Sequence, residues 1–223
     1  MGKRISIAID GPAGAGKSTV AKIVAAKKGY IYLDTGAMYR ALTYKAIRDQ
    51  INVEDEDALF AALMQSSISF KMGENCQEVF LDSENVTDKI RSREINLGVS
   101  TIAAHAKVRE EMVRLQQEYG KNGGVVMDGR DIGTHVMPNA EVKIYLIASV
   151  SERAKRRHEE NIQKGFASNL EELEREISAR DLYDSTRDVA PLTKAEDAIE
   201  LDTTSMSLDS VVEAIVKIID ERS

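Results

Sequence analysis

A lysine and a serine close a glycine-rich run whose spacing points to phosphate chemistry. Gly11-Pro12-Ala13-Gly14-Ala15-Gly16-Lys17-Ser18, with Thr19 after it, is a full phosphate-binding loop. Its glycines let successive backbone N–H groups turn inward on phosphate oxygens, and the helix that follows adds the positive end of its dipole. On this pattern Lys17 reaches the β- and γ-phosphates of ATP and the Ser18 hydroxyl ligates Mg²⁺. A chance glycine-rich turn would lack the flanks found here: a β-branched apolar strand over Arg4 to Asp10, and a helix over Ser18 to Lys28.

A phosphate-binding loop alone does not separate kinases from GTPase switches or motor ATPases. No Asn-Lys-x-Asp guanine signature occurs, and the strand ending Val125-Val126-Met127-Asp128-Gly129 lacks a Glu after its Asp, where a water-activating ATPase would carry one. Both absences disfavour hydrolysis and favour a kinase. A kinase needs a second anion site for the acceptor, and arginine suits it because its planar fork binds phosphate bidentately. Two segments offer one. Asp34-Thr35-Gly36-Ala37-Met38-Tyr39-Arg40 leaves a strand and starts a helix at Thr35, so that hydroxyl, helix N-terminus and Arg40 can address one anion. Asp128-Gly129-Arg130-Asp131 leaves another strand in the same way, and in an open parallel sheet such loops emerge where ligands bind. Tyr39 fits either a base-stacking role or a core position.

The elements that must hold these loops read as short buried strands alternating with helices, the pattern of a parallel sheet. The strands fall at Arg4 to Asp10, Tyr30 to Asp34, Gly124 to Asp128, Val142 to Ala148 and Ala198 to Asp202. Gly29 is placed to end the first helix. After Ser207, Val211, Val212, Ile215, Ile218 and Ile219 form the apolar stripe of a last helix. Two regions break the alternation. Ser66 to Asp88 has hairpin character, with Ile68, Phe70 and Met72 before a Gly73-Glu74-Asn75 turn and Val79 and Leu81 after it. Ser151 to Asp184 reads as two charged helices parted by Gly165 to Ser168, the second capped by Asn169, and fits a mobile lid or an exposed helical pair.

Composition narrows the setting. A chain of 223 residues suits one α/β domain with embellishments. No apolar run reaches the roughly 18 residues of a membrane span, and the N-terminal residues lack the pattern of a secretory signal, so a cytoplasmic protein without a membrane partner is expected. A single cysteine, Cys76, agrees with a reducing compartment and reads as a structural or surface thiol. A net charge of −7 argues against broad nucleic-acid binding. Monomer is the default expectation. His105, His135 and His158 are left outside any mechanism, because phosphoryl transfer through a loose transition state rests on positioning and charge neutralisation.

Taken together, Gly11 to Thr19, Asp34 to Arg40, Asp128-Gly129-Arg130-Asp131-Ile132-Gly133-Thr134 and Arg180-Asp181-x-x-Asp184-x-x-Arg187-x-x-Ala190-Pro191-Leu192 resemble bacterial cytidylate kinases over essentially the whole chain. The resemblance implies a P-loop NTPase-type α/β fold: a five-stranded parallel sheet flanked by helices, with a small antiparallel insert and a helical lid. The core would span about 1–64, 89–150 and 185–223, the nucleoside-monophosphate insert about 65–88, and the lid about 151–184. It also implies Mg²⁺-dependent transfer of the γ-phosphate of ATP to CMP or dCMP. On that model Thr35, Arg40, Arg130 and Arg187 hold the acceptor phosphate, and Arg180 and Asp184 address the ribose. Ser100, Arg109 and Asp131 read cytosine, and a carboxylate suits that task because it accepts from the exocyclic amine and repels the O4 of uracil. Lys17 and lid arginines shield the travelling charge while Asp128 orients Mg²⁺-bound water. Among Arg153, Arg156 and Arg157, the first choice for contacting ATP is Arg157. The family often has Pro where this chain has Ala106, and Ser where it has Thr35; neither change removes a needed donor.

Overall fold

The structure is a computed structural model, and it describes residues 4–73, 77–163 and 165–222. In chain order the elements are β1 (Ser6–Asp10), α1 (Lys17–Lys28), β2 (Ile31–Asp34), α2 (Thr35–Arg48), α3 (Glu56–Met64), β3 (Ile68–Met72), β4 (Gln77–Leu81) and β5 (Glu84–Asn85). They continue with α4 (Arg93–Ile102), α5 (Ala106–Gly120), β6 (Val125–Gly129), β7 (Val142–Ile147), α6 (Val150–Gln163), α7 (Leu170–Thr186), β8 (Ile199–Asp202) and α8 (Leu208–Arg222). The chain forms two compact units, Met1–Leu33 with Gln117–Ser223, and Asp34–Gln116.

The first unit is built on a five-stranded parallel sheet in the order β2-β6-β1-β7-β8. β1 lies at its centre, with Ile9 opposite Asp128 of β6 and Ile144 of β7. A central parallel strand is covered on both faces, so its middle is apolar; Ile7, Ala8 and Ile9 of β1 accordingly have no exposed surface. Helix α1 presents Val20, Ala21, Val24 and Ala25 to this core, and α8 presents Val211, Val212, Ile215 and Ile219. Ile23 and Ile218 are only partly buried beside it. Gly29 ends α1 in the left-handed conformation at φ 63°, as its position suggests. In the same unit α6 and α7 form the expected charged pair, and the Asn169 side chain caps α7 by accepting from the Glu172 N–H.

The second unit packs α2 against α3 and α4 around Met38, Leu42, Leu59, Leu63, Ile102 and Met112. The antiparallel pair β3–β4, with Phe70 opposite Val79, joins it through Val79 and Leu81, which pack with Ala37, Ala41 and Ile90. A third short strand, β5, extends this sheet. The hairpin therefore packs within the unit Asp34–Gln116. Glu74 and Asn75 of the expected turn, and Cys76, lie outside the described residues.

Candidate active site

The phosphate-binding loop joins β1 to α1, and its glycines are required by geometry. At Gly11 a Cβ would stand 2.0 Å from the Leu146 carbonyl oxygen of β7, and φ is +146°. Gly16 sits just before α1 with φ +84° and offers no side chain as a cap, so the first N–H groups of the helix have no capping partner from that position. Lys17 is buried and its ammonium donates to the Pro12 carbonyl at 2.7 Å, which folds the side chain over the loop. Burial, with the Arg130 charge nearby, pulls the Lys17 pKa well below its ordinary value against the opposing pull of Asp128 and Asp10.

Asp128, at the end of β6, is the carboxylate behind the loop. The Ser18 hydroxyl donates to its Oδ2 and the Tyr32 hydroxyl to its Oδ1, each at 2.8 Å. Adjacent strands β2 and β6 bring Tyr32 to Asp128, and α1 brings Ser18. A hydroxyl and a carboxylate oxygen side by side are hard oxygen donors of the kind Mg²⁺ prefers, and Mg²⁺ takes few protein ligands when substrate phosphates complete its shell.

Beyond β6 the Arg130 Nε donates to Asp184 Oδ2 at 2.9 Å, and Arg180 Nε lies 3.9 Å from the same oxygen. Burial raises the Asp184 pKa, but Arg130, Arg180 and Arg187 outweigh it and hold the carboxyl below its usual value. Arg187, just past α7, donates through Nε and Nη2 to the Ala190 carbonyl, and Ala190 itself has a left-handed φ of 46°. Asp131 is buried and opens a wide turn over Ile132–Val136, in which the His135 and Val136 N–H groups return to its carbonyl. Arg153 is fully engaged: Nε donates to the Ala148 carbonyl, Nη1 to that of Ala13 in the loop, and Nη2 to Asp181. Arg156 is tied to Glu152 and to the Thr203 carbonyl.

In the second unit, Asp34 caps α2 by accepting from the Ala37 N–H at 2.9 Å. The same carboxylate binds Arg40 through both oxygens and Arg91 at 2.9 Å. Burial works against that charge, but the two guanidiniums prevail and lower the Asp34 pKa. Thr35 is the first residue of α2 and Ser100 is half-buried in α4. Arg109 is buried, donates to the Ala103 carbonyl at 2.8 Å and has its guanidinium carbon 5.6 Å from the Tyr39 ring centroid.

The cytidylate kinase family model matches residues 7–221. The chain belongs to the cytidylate kinase family. Relatives include the cytidylate kinase of Bacillus cytotoxicus, 59% identical over 221 residues and covering 99% of this chain and 98% of that one. The cytidylate kinase of Bacillus cereus strain B4264 is likewise 59% identical, over 219 residues, with 98% and 97% covered. Among solved structures, an uncharacterized protein from Eubacterium ventriosum superposes with a TM-score of 0.53 at 13% identity, covering 99% of this chain and 100% of that one. A gluconokinase from Sinorhizobium meliloti 1021 reaches 0.50 at 14% identity, with 99% and 96% covered. These two likenesses speak to the fold alone.

For this cytidylate kinase family member, the structure brings Lys17, Ser18 and Asp128 together at the loop, and Arg130, Arg180 and Asp184 into one cluster. It also assigns partners that local sequence did not suggest. Tyr32 shares Asp128, Arg91 joins Arg40 on Asp34, and Asp10 binds the turn after Asp131 through the Ile132 and Gly133 N–H groups. Tyr32 had only the signal of a polar-tipped aromatic in a buried strand, and Arg91 had none. Arg153, which reads in sequence as one of three lid arginines, is an internal brace.

Proposed function

We propose that the chain transfers the γ-phosphate of ATP in line to CMP and dCMP, giving CDP and dCDP. What supports this most is the Ser18–Asp128 pair at 2.8 Å directly behind a complete phosphate-binding loop, in a chain of the cytidylate kinase family. On this reading residues 11–19 cradle the donor phosphates, and Lys17 neutralises charge on the oxygens between donor and acceptor. Burial, and after it the Arg130 charge, lower the Lys17 pKa, and anionic phosphates beside it would favour its ammonium form. Ser18 would hold Mg²⁺ directly and Asp128 through water. Bound there, the ion would neutralise charge on the donor phosphates.

Acceptor recognition is assigned to Thr35, Arg40, Arg130 and Arg187 for the phosphate, Arg180 and Asp184 for the ribose, and Ser100, Arg109 and Asp131 for cytosine. Arg130, Arg180 and Arg187 also act in catalysis, stabilising charge as it develops on the transferred group. Because Arg153 and Arg156 are held by internal contacts, Arg157 is the lid arginine proposed to reach ATP. The segments about 65–88 and 151–184 are proposed as the acceptor-side insert and the lid. The protein is proposed to work as a cytoplasmic monomer on nucleotides, without a nucleic-acid or membrane partner. Among the described residues no helix is long and apolar enough to cross a membrane.

The test is ADP release with Mg²⁺-ATP and a panel of acceptors. CMP and dCMP should turn over well ahead of UMP, AMP and shikimate, with little ADP formed when no acceptor is present. Equal turnover with UMP or AMP, or acceptor-independent hydrolysis at a matching rate, would overturn the assignment.

A further inference from the structure

Asp10 ends β1 immediately before the phosphate-binding loop, and the mechanism above gives it no role. It is buried, yet its carboxylate Oδ1 accepts from the Ile132 N–H at 2.8 Å and its Oδ2 from the Gly133 N–H at 2.7 Å. These amides begin the turn that Asp131 opens. An aspartate in that position ordinarily caps its own turn with its side chain, but Asp131 does not do so here. The cap comes instead from Asp10, more than a hundred residues earlier in the chain. Gly133 makes the close approach possible, since a Cβ there would meet Asp10 Oδ2 at 3.3 Å and the Lys143 stem at 3.2 Å.

We propose that Asp10 is the positioning residue for the carboxylate that reads the base: by binding the Ile132 and Gly133 amides it fixes the start of the turn from which Asp131 leaves the backbone, and with it the direction Asp131 takes toward the cytosine amine. This rests on the reading that Asp131 recognises cytosine. Asp131 and Asp10 are also close enough for their charges to repel, which disfavours a turn that would bring the two carboxylates closer. The groups acting on Asp10 are Asp131 and Lys17, and Tyr145 of β7 feels its charge. Burial pushes the Asp10 carboxyl up to about 6, so this arrangement holds a carboxylate where solvation disfavours it, with the amide bonds and Lys17 offsetting part of that cost. A purely structural cap would affect all substrates alike. A positioning role should alter the choice between bases.

The experiment compares wild type, Asp10→Asn, Asp131→Asn and the double variant, measuring kcat/KM for CMP and for UMP at saturating ATP. The ratio of the two cancels any uniform loss through the phosphate loop. Asn at position 10 keeps the shape but leaves one oxygen for two amides, so the ratio should fall roughly tenfold, the scale of a misdirected charge-assisted hydrogen bond. In the Asp131→Asn background the Asp10 change should leave the ratio where it is. An unchanged ratio in Asp10→Asn, beside a reduced one in Asp131→Asn, overturns the role of Asp10 and leaves base reading by Asp131 standing. Additive losses in the double variant overturn it as well, since Asp10 would then act by another route. An unchanged ratio in Asp131→Asn refutes the base-reading assignment itself. Thermal melting checks folding, and Asp10→Ser, whose hydroxyl cannot bridge both amides, supplies the same comparison if the Asn variant does not fold.

Discussion

Replacing Asp184 by Asn removes one charge from the Arg130–Arg180–Asp184 cluster while keeping the volume of the side chain. Only 4% of the Asp184 side chain is exposed, against 20% for Arg130. Breaking a fully buried ion pair costs about 3–5 kcal/mol. Asn retains an acceptor for the Arg130 Nε, and Arg130 can recover some water, so the expected loss is about 1–2 kcal/mol. For a chain of this size that lowers Tm by roughly 2–8 °C. The sign of the pH dependence follows from the lowered Asp184 pKa. A carboxyl held below its ordinary 3.8 contributes stability above that value and loses it as pH falls from 3.8 through the folded-state pKa. Urea melts of wild type and variant should therefore differ by a constant amount from pH 7 to 5 and converge below 3.8. On the proposed ribose contact, KM for CMP should rise about tenfold in the same protein, the equivalent of about 1.4 kcal/mol. A wild-type melting point at pH 7, or a stability gap that persists undiminished well below pH 3.8, would refute the claim that Asp184 is held ionised by these arginines.

Two further substitutions test the loop. Gly11→Ala would set a Cβ 2.0 Å from the Leu146 carbonyl at a φ of +146°, and should cost about 3 kcal/mol or more through overlap and backbone strain; an unchanged Tm by calorimetry would contradict this geometry. Lys17→Ala should lower kcat by about 10²–10³ while circular dichroism and Tm stay near wild type, because the buried ammonium is itself held at a desolvation cost; near-normal turnover would remove Lys17 from the mechanism.

The strands of the main sheet were legible because each has a short apolar run where the sheet is covered. Their ends moved by one or two residues, with β1 beginning at Ser6 and β6 running to Gly129. The caps at Gly29 and Asn169 were legible because they depend on a residue's own backbone conformation or its next turn. Side-chain partnerships were much less so. Asp34 and Arg91 are 57 positions apart, Tyr32 and Asp128 are 96, and Asp10 and Ile132 are 122. No local pattern encodes such pairs, since they depend on which strands become neighbours in the sheet or, for Arg91, on the packing of its turn against α2.

The same distinction runs through the site. The sequence by itself determined the phosphate-binding loop pattern at residues 11–18, because glycine spacing, Lys17 and the following helix act within a single turn of chain. It also brought arginines and carboxylates to the ends of strands. Only the tertiary structure decided how those charges are held: Arg153 is taken by the Ala13 and Ala148 carbonyls and Asp181, Asp128 lies between Ser18 and Tyr32, and Asp10 binds the turn after Asp131. A buried charge must find a partner, and parallel-sheet topology places that partner on a strand or helix distant in sequence.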